Sequence, residues 1–138
     1  MTLFVDTSVW SLALRRDRES PAPQVRVLHD ALEHGDTVVT TGLVLQELLQ
    51  GFSGPRARKE IIDRFSALPL LLPERKDHID AAELRNACRR AGLLLGTIDA
   101  IIAQLCIRNE LTLLTTDNDL VMAAAHCKLR VWMPARQQ

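Results

Sequence analysis

The chain has 138 residues and carries equal numbers of acidic and basic side chains, 17 of each, while nearly half of its residues are apolar. This length and balance predict one soluble globular domain over residues 1–138, and they exclude avid, unselective nucleic-acid binding through bulk charge. No apolar stretch approaches a membrane span, and the opening residues do not resemble a signal peptide. Cys88, Cys106 and Cys127 lack close-paired spacing, which is typical of reduced thiols in a cytoplasmic protein.

The first predicted strand, residues 3–5, is an unbroken apolar run that suits a strand buried on both faces of a parallel sheet. Asp6, Thr7 and Ser8 follow it at once. Because open α/β folds keep their sites at the carboxyl ends of the strands, Asp6 becomes a candidate site residue. Ser8 is predicted to cap a helix that begins at Val9.

Helix and strand patterns then alternate along the rest of the chain. Helix patterns cover residues 9–14, 20–35, 42–50, 55–67, 77–91, 98–106 and 118–125, and strand patterns cover residues 37–40, 70–72, 111–115 and 129–132. Thr41 and Thr97 are predicted helix caps, and Pro69 suits the start of an edge strand. This alternation predicts a single α/β domain with a parallel sheet and helices on both faces.

Two details of the pattern are less regular. In the helix over residues 77–91 the predicted buried stripe is Ile79, Ala82, Leu84 and Ala87. The leucine run at residues 93–95 falls between two helices, and we expect it to be an exposed loop available to a partner.

Acidic residues recur at the ends and margins of these elements. The fourth strand ends in Thr115, Thr116 and Asp117, as the first ends in Asp6, so the two aspartates would share one crevice if these strands are neighbours. Glu47 lies among leucines in its helix, and Asp99 lies in the first turn of another. Each acid also has an ordinary alternative as a turn, cap, helix-dipole or solvent-facing residue.

A cluster of carboxylates favours a divalent cation, because like charges repel one another and burial adds to the penalty. An all-oxygen ligand set favours Mg²⁺ or Mn²⁺ over zinc, and the four histidines lack ligand spacing. Such a cation activates water and holds a phosphodiester for in-line displacement. The hydroxyls of Thr7, Ser8, Thr115 and Thr116 are candidates to orient that water or the phosphate oxygens.

These residues resemble the PIN-domain nucleases, and specifically the VapC-type toxins of toxin–antitoxin pairs. The resemblance covers nearly the whole chain. The first motif is matched by residues 5–10, the second by Glu47, the third by residues 97–103 and the fourth by residues 113–119, and a closing strand is matched by residues 131–132.

The resemblance implies a five-stranded sheet of order 3-2-1-4-5 in one PIN domain. It implies a Mg²⁺-dependent endoribonuclease that dimerises and is inhibited by a VapB-type antitoxin encoded beside it. By motif match, the catalytic and metal-binding set is Asp6, Glu47, Asp99 and Asp117. Asp119 is an outer candidate and an alternative cap for the helix that follows.

Other classes of protein also place acids at strand ends. A receiver-like signalling domain needs a lysine after its last strand, where this chain has Arg136, and a phosphatase of the haloacid-dehalogenase type would want an aspartate where Ser8 stands. A catalytically inactive PIN domain that serves only as a binding module is a third alternative.

Overall fold

Parallel strands form the centre of the molecule. The computed structural model describes residues 1–15, 17 and 19–135, so Arg16, Arg18 and the tail that includes Arg136 lie outside the described residues. Within this part of the chain the strands are β1 (Leu3–Val5), β2 (Val38–Thr41), β3 (Leu70–Leu71), β4 (Thr112–Leu114) and β5 (Arg130–Val131). They pair in parallel in the order β3-β2-β1-β4-β5, which confirms the predicted sheet. One domain over residues 1–138 stays a prediction.

Helices fill the connections between the strands, as the alternating pattern predicts. Their bounds are α1 (Thr7–Ala13), α2 (Pro23–Glu33), α3 (Gly42–Gly51), α4 (Pro55–Phe65), α5 (Arg75–Arg90), α6 (Thr97–Arg108) and α7 (Asn118–Ala123). These bounds differ from the predicted ones by a few residues. For example, α2 begins at Pro23 and not near Ser20, because Ala22 precedes a proline and is extended, so it cannot be part of the helix.

The central strand explains where the site must lie. The side chains of β1 are almost completely buried, as expected for a strand covered on both faces. Its neighbours are β2 and β4, and Val5 lies opposite Leu114 at the carboxyl end of the β1–β4 pair. Residues that follow β1 and β4 therefore emerge side by side at one edge of the sheet.

The edge strand β3 is only two residues long, and Leu70 is 45% exposed. The backbone N–H of Thr40 in β2 donates to the carbonyl oxygen of Pro69 at 3.0 Å. Pro69 therefore precedes the edge strand and acts as an acceptor, a position that does not require the backbone N–H that proline lacks. This agrees with the predicted role of Pro69.

One predicted helix cap is confirmed and two are wrong. Thr41 accepts a hydrogen bond from the N–H of Val44 at 3.3 Å and caps α3. Ser8 lies inside α1, whose N-cap position is Asp6, and Thr97 is the first helical residue of α6, after Gly96. In both wrong cases the helix begins earlier than the apolar pattern indicates.

The buried face of α5 also differs from the prediction. Ile79 is 55% exposed, and the buried side chains are those of Asp77, Ala81, Leu84 and Cys88. Asp77 accepts from the Nε of Arg108 in α6 at 2.7 Å and from the backbone N–H of Glu74 at 2.8 Å. This pairing lets a carboxylate occupy the buried stripe where the pattern favoured an apolar residue.

The run over residues 93–95 is a loop, but only its middle residue faces solvent. Leu94 is 70% exposed, whereas Leu93 and Leu95 are buried in the core, so the expected exposed leucine run is wrong. The three cysteines are free thiols, as predicted. In the described part of the chain, no helix has the length and apolar character needed to cross a membrane.

Candidate active site at the carboxyl edge of the sheet

Asp6 is delivered to the edge of the sheet by β1. Its backbone N–H donates to the carbonyl oxygen of Leu114 at 2.9 Å, which continues the β1–β4 pairing by one residue. The Asp6 side chain is 95% buried, and its Oδ2 accepts from the hydroxyls of Ser8 and Thr115, each at 2.8 Å. These charge-assisted hydrogen bonds keep the carboxylate paired in a buried position.

Glu47 reaches the same region from the middle of α3. The hydroxyl of Thr7, the first residue of α1, donates to Glu47 Oε1 at 3.0 Å. This contact joins α1 to α3 and directs one oxygen of Glu47 toward the segment that follows β1. Glu47 therefore does not simply face solvent, which was the ordinary alternative for it.

Asp99 is the acid of this region whose pKa responds to the others. It lies in the first turn of α6 and is partly buried. Burial, followed by the nearby carboxylates of the other acids, raises the pKa of Asp99 to about 6; these acids are Asp6, Asp117, Glu47 and Asp119. The other three predicted acids, and Asp119 with them, therefore lie within electrostatic reach of Asp99.

Asp117 has the ordinary role of a helix cap, and its catalytic role stays a prediction. It is the N-cap of α7, and its Oδ1 accepts from the backbone N–H of Asp119 at 2.8 Å. Capping uses one oxygen of the carboxylate and leaves the residue beside the other acids. Asp119 is exposed in the first turn of α7, so the alternative that it caps this helix is wrong.

The hydroxyl side chains near the acids form hydrogen bonds that the sequence does not predict. They were candidates to orient water or phosphate, but Ser8 and Thr115 bind Asp6 and Thr7 binds Glu47. The side chain of Thr116 is exposed, and its backbone N–H donates to Ser8 Oγ at 3.0 Å. In the sequence, only the closeness of these hydroxyl residues to Asp6 and Asp117 indicates that they belong to the site.

Within residues 1–15, 17 and 19–135, the acids have no basic partner that would neutralise them. Among the described residues, no ion pair includes Asp6, Glu47, Asp99, Asp117 or Asp119. The same residues contain no group of three or more acidic, histidine or cysteine side chains already gathered to hold a metal ion. The carboxylates thus surround the edge of the sheet without meeting at one point.

This donor set fits a hard divalent cation. The side chains are carboxylates and hydroxyls, which supply the oxygen ligands that Mg²⁺ and Mn²⁺ prefer. Burial, and after it the charges of the four neighbouring acids, raises the pKa of Asp99, and a bound cation would offset those charges.

Comparison with known proteins identifies the family of the chain. Residues 3–125 match the PIN domain family. The chain is similar to Ribonuclease VapC23 of Mycobacterium tuberculosis, with 31% identity over 126 residues that cover 88% of this chain and 97% of that relative.

Solved structures show the same fold at lower identity. One is VapBC2 from Rickettsia felis bound to a promoter DNA fragment, with a TM-score of 0.73, 20% identity, and coverage of 96% of this chain and 98% of that chain. Another is VapC20 of Mycobacterium tuberculosis, described as a sarcin–ricin-loop-cleaving toxin, with a TM-score of 0.68, 21% identity, and coverage of 94% and 99%. The predicted resemblance is confirmed.

Proposed function

Because this chain belongs to the PIN domain family, we propose that it is a metal-dependent endoribonuclease and the toxin of a toxin–antitoxin pair. The observation that carries the proposal is that four acids, Asp6, Glu47, Asp117 and Asp119, lie within electrostatic reach of Asp99 at the carboxyl edge of the sheet. The relative at 31% identity is named a ribonuclease, which supports RNA as the substrate.

We assign Mg²⁺ or Mn²⁺ as the cofactor, held by Asp6, Glu47, Asp99 and Asp117. When bound, such a cation lowers the pKa of a water ligand and neutralises charge on the phosphodiester oxygens. The chain's own residues keep the acids in place: Ser8 and Thr115 hold Asp6, and Thr7 holds Glu47. Asp99 retains part of its proton near pH 6 in the metal-free protein and releases it when the cation binds.

The proposed partner is a VapB-type antitoxin, and the support is indirect. The Rickettsia felis structure is a VapBC complex, so a chain of the same fold is expected to have a protein that neutralises it. A ribonuclease with such a partner would meet its RNA in the cytoplasm, which stays our prediction for its location.

The homodimer is also a proposal. An apolar hollow of about 390 Å³ lies between α3, α5 and α6, with Leu43, Ala82 and Ile98 among its lining residues. We propose that a second copy covers it. Light scattering should give twice the 15.4 kDa mass of the chain, and Ala82→Arg should shift the protein to the monomer. A wild-type monomer at micromolar concentration would contradict the proposal.

Cleavage of total RNA by the purified chain tests the enzymatic proposal. We expect cleavage with Mn²⁺ or Mg²⁺, none in EDTA, and products with 5′-phosphate and 3′-hydroxyl ends, as expected for attack by water. Asp6→Asn and Asp99→Asn should abolish cleavage. The control Asp63→Asn, on the exposed face of α4, should leave it intact.

The alternatives correspond to definite outcomes of that experiment. The match of residues 3–125 to the PIN domain family argues against a receiver-like signalling domain and against a phosphatase of the haloacid-dehalogenase type. Metal binding without cleavage of any RNA would favour a catalytically inactive PIN domain. Full cleavage in EDTA, or products with 2′,3′-cyclic phosphate ends, would overturn the proposed mechanism.

A further inference from the structure

Two hydroxyl groups join Asp6 to the segment that follows β4. Ser8 Oγ accepts from the backbone N–H of Thr116 at 3.0 Å and donates to Asp6 Oδ2 at 2.8 Å. Thr115 Oγ1 accepts from the backbone N–H of Asp117 at 2.9 Å and donates to the same Oδ2 at 2.8 Å. The two hydroxyls thus form equivalent bridges from one carboxylate oxygen to consecutive backbone N–H groups.

The direction of each hydrogen bond follows from counting protons. A backbone N–H can only donate, so each hydroxyl oxygen must accept from it. The single proton of each hydroxyl is then free to point at Asp6, whose ionised carboxylate can only accept. The 3.3 Å separation of the two hydroxyl oxygens needs no further proton, because both are already used on Oδ2.

This count distinguishes the two oxygens of Asp6. Oδ2 accepts two hydroxyl protons, which occupies the two lone-pair positions that one carboxylate oxygen offers. Oδ1 receives neither of them and remains the oxygen of Asp6 that can bind a cation. Both hydroxyls therefore control which face of the carboxylate is presented.

We propose that Ser8 and Thr115 are positioning residues for the metal site, and we call the pair the hydroxyl clamp. The clamp fixes the orientation of the Asp6 carboxylate by holding Oδ2 and leaves Oδ1 for the cation. It also holds the backbone of Thr116 and Asp117, so that the position of Asp117 depends on that of Asp6. This inference rests on the proposed function for the identity of the ligand, a divalent cation.

The surroundings explain why a clamp is needed. Asp6 is 95% buried, and its charge acts on Asp99, as do the charges of Glu47 and Asp117. Repulsion from these carboxylates favours turning Asp6 away from them when no metal is present. Two charge-assisted hydrogen bonds from a buried threonine and a half-buried serine oppose that rotation.

The chain offers a closely matched control. Thr40 in β2 is completely buried, like Thr115, but its hydroxyl has no hydrogen-bond partner among the described residues. Thr115→Val and Thr40→Val make the same chemical change in neighbouring parts of one sheet. Only the first removes a bridge to Asp6, and Thr115→Ser should restore that bridge.

The first measurement is backbone amide hydrogen exchange by NMR in EDTA, which requires no catalytic activity. Thr115→Val should accelerate exchange at Asp117, and Ser8→Ala should accelerate it at Thr116, because each amide loses its acceptor. Thr40→Val should change neither amide. The serine replacement of Thr115 should return exchange at Asp117 to the wild-type rate.

The second measurement is the Mn²⁺ concentration for half-saturation, from calorimetry and from RNA cleavage. Loss of either hydroxyl should raise it about 10–100-fold, as for other groups that orient metal ligands, while KM for RNA at saturating Mn²⁺ stays unchanged. Thr115→Ser should bind Mn²⁺ like the wild type. If Thr115→Val does not fold, Ser8→Ala at the half-buried position carries the same test.

The outcomes separate the two proposals. Faster exchange at Asp117 with unchanged Mn²⁺ affinity, or equal effects of Thr115→Val and Thr40→Val, would overturn the hydroxyl clamp. A wild-type protein that binds Mn²⁺ but cleaves no RNA would contradict the proposed function, while calorimetry on the same variants would still decide for or against the clamp.

Discussion

Replacing Asp99 by asparagine is expected to stabilise the metal-free protein at neutral pH. Burial and the carboxylates of the neighbouring acids raise the pKa of Asp99 from 3.8 to about 6. A rise of about 2 in pKa, at roughly 1.4 kcal/mol for each pKa unit, corresponds to at most about 3 kcal/mol of unfolding free energy. Because Asp99 remains partly exposed, solvent screening reduces the expected gain to about 1–2 kcal/mol.

The sign follows from proton binding. A raised carboxyl pKa means that the folded state holds more protons than the unfolded state between about pH 4 and pH 6, so stability falls as pH rises through this range. Above pH 7 the destabilisation is fully present. Asp99→Asn removes this titration, so its advantage over the wild type should be largest above pH 7 and should shrink toward pH 4.

Urea and thermal unfolding in EDTA, at pH 7.5 and pH 5, measure this difference. We expect the melting temperature of Asp99→Asn to exceed that of the wild type by roughly 3–8 °C at pH 7.5, and by less at pH 5. A variant that is equally or less stable than the wild type at both pH values would refute the account of Asp99 as a repelled, partly buried carboxylate.

Three further predictions concern other contacts. Asp77→Asn should lower the free energy of unfolding by about 2 kcal/mol in urea titrations, because it weakens the buried pair with Arg108 and the capping hydrogen bond to Glu74. An unchanged free energy of unfolding would contradict this role of Asp77. Thr7→Val should leave the fold unchanged but raise the Mn²⁺ concentration needed for half-maximal cleavage several-fold, because Glu47 loses its hydrogen bond. Wild-type cleavage kinetics in this variant would count against a role of Thr7 in holding Glu47. Expression of the chain alone should arrest bacterial growth in liquid culture and Asp99→Asn should relieve the arrest, whereas normal growth with abundant wild-type protein would argue against a toxin.

The fold and the position of the acids follow from local patterns. The apolar run of β1 and the matching run of β4 each end in an aspartate, and two parallel strands that are neighbours bring their ends together. This reasoning needs only the order of residues along the chain. It predicts that Asp6 and Asp117 lie at the same edge of the sheet.

The details that escaped prediction depend on distant partners. Asp77 counts as polar in any periodic pattern, yet it is buried because Arg108 pairs with it across 31 residues of sequence. Ser8 has the chemistry of a helix cap, but its hydroxyl accepts a hydrogen bond from the backbone N–H of Thr116 and donates one to Asp6. Arg108 and Thr116 are both far from their partners in the sequence, so tertiary contacts overrode local propensity in both places.

Calorimetric titration of Mn²⁺ into the metal-free protein tests most directly whether the acids form one site. The account predicts saturable binding by the wild type, and much weaker binding by each of the single variants Asp6→Asn, Glu47→Gln, Asp99→Asn and Asp117→Asn. The control Asp63→Asn should bind like the wild type. Absence of saturable binding by the wild type, or wild-type affinity in all four variants, would contradict the claim that these carboxylates form a single cation site.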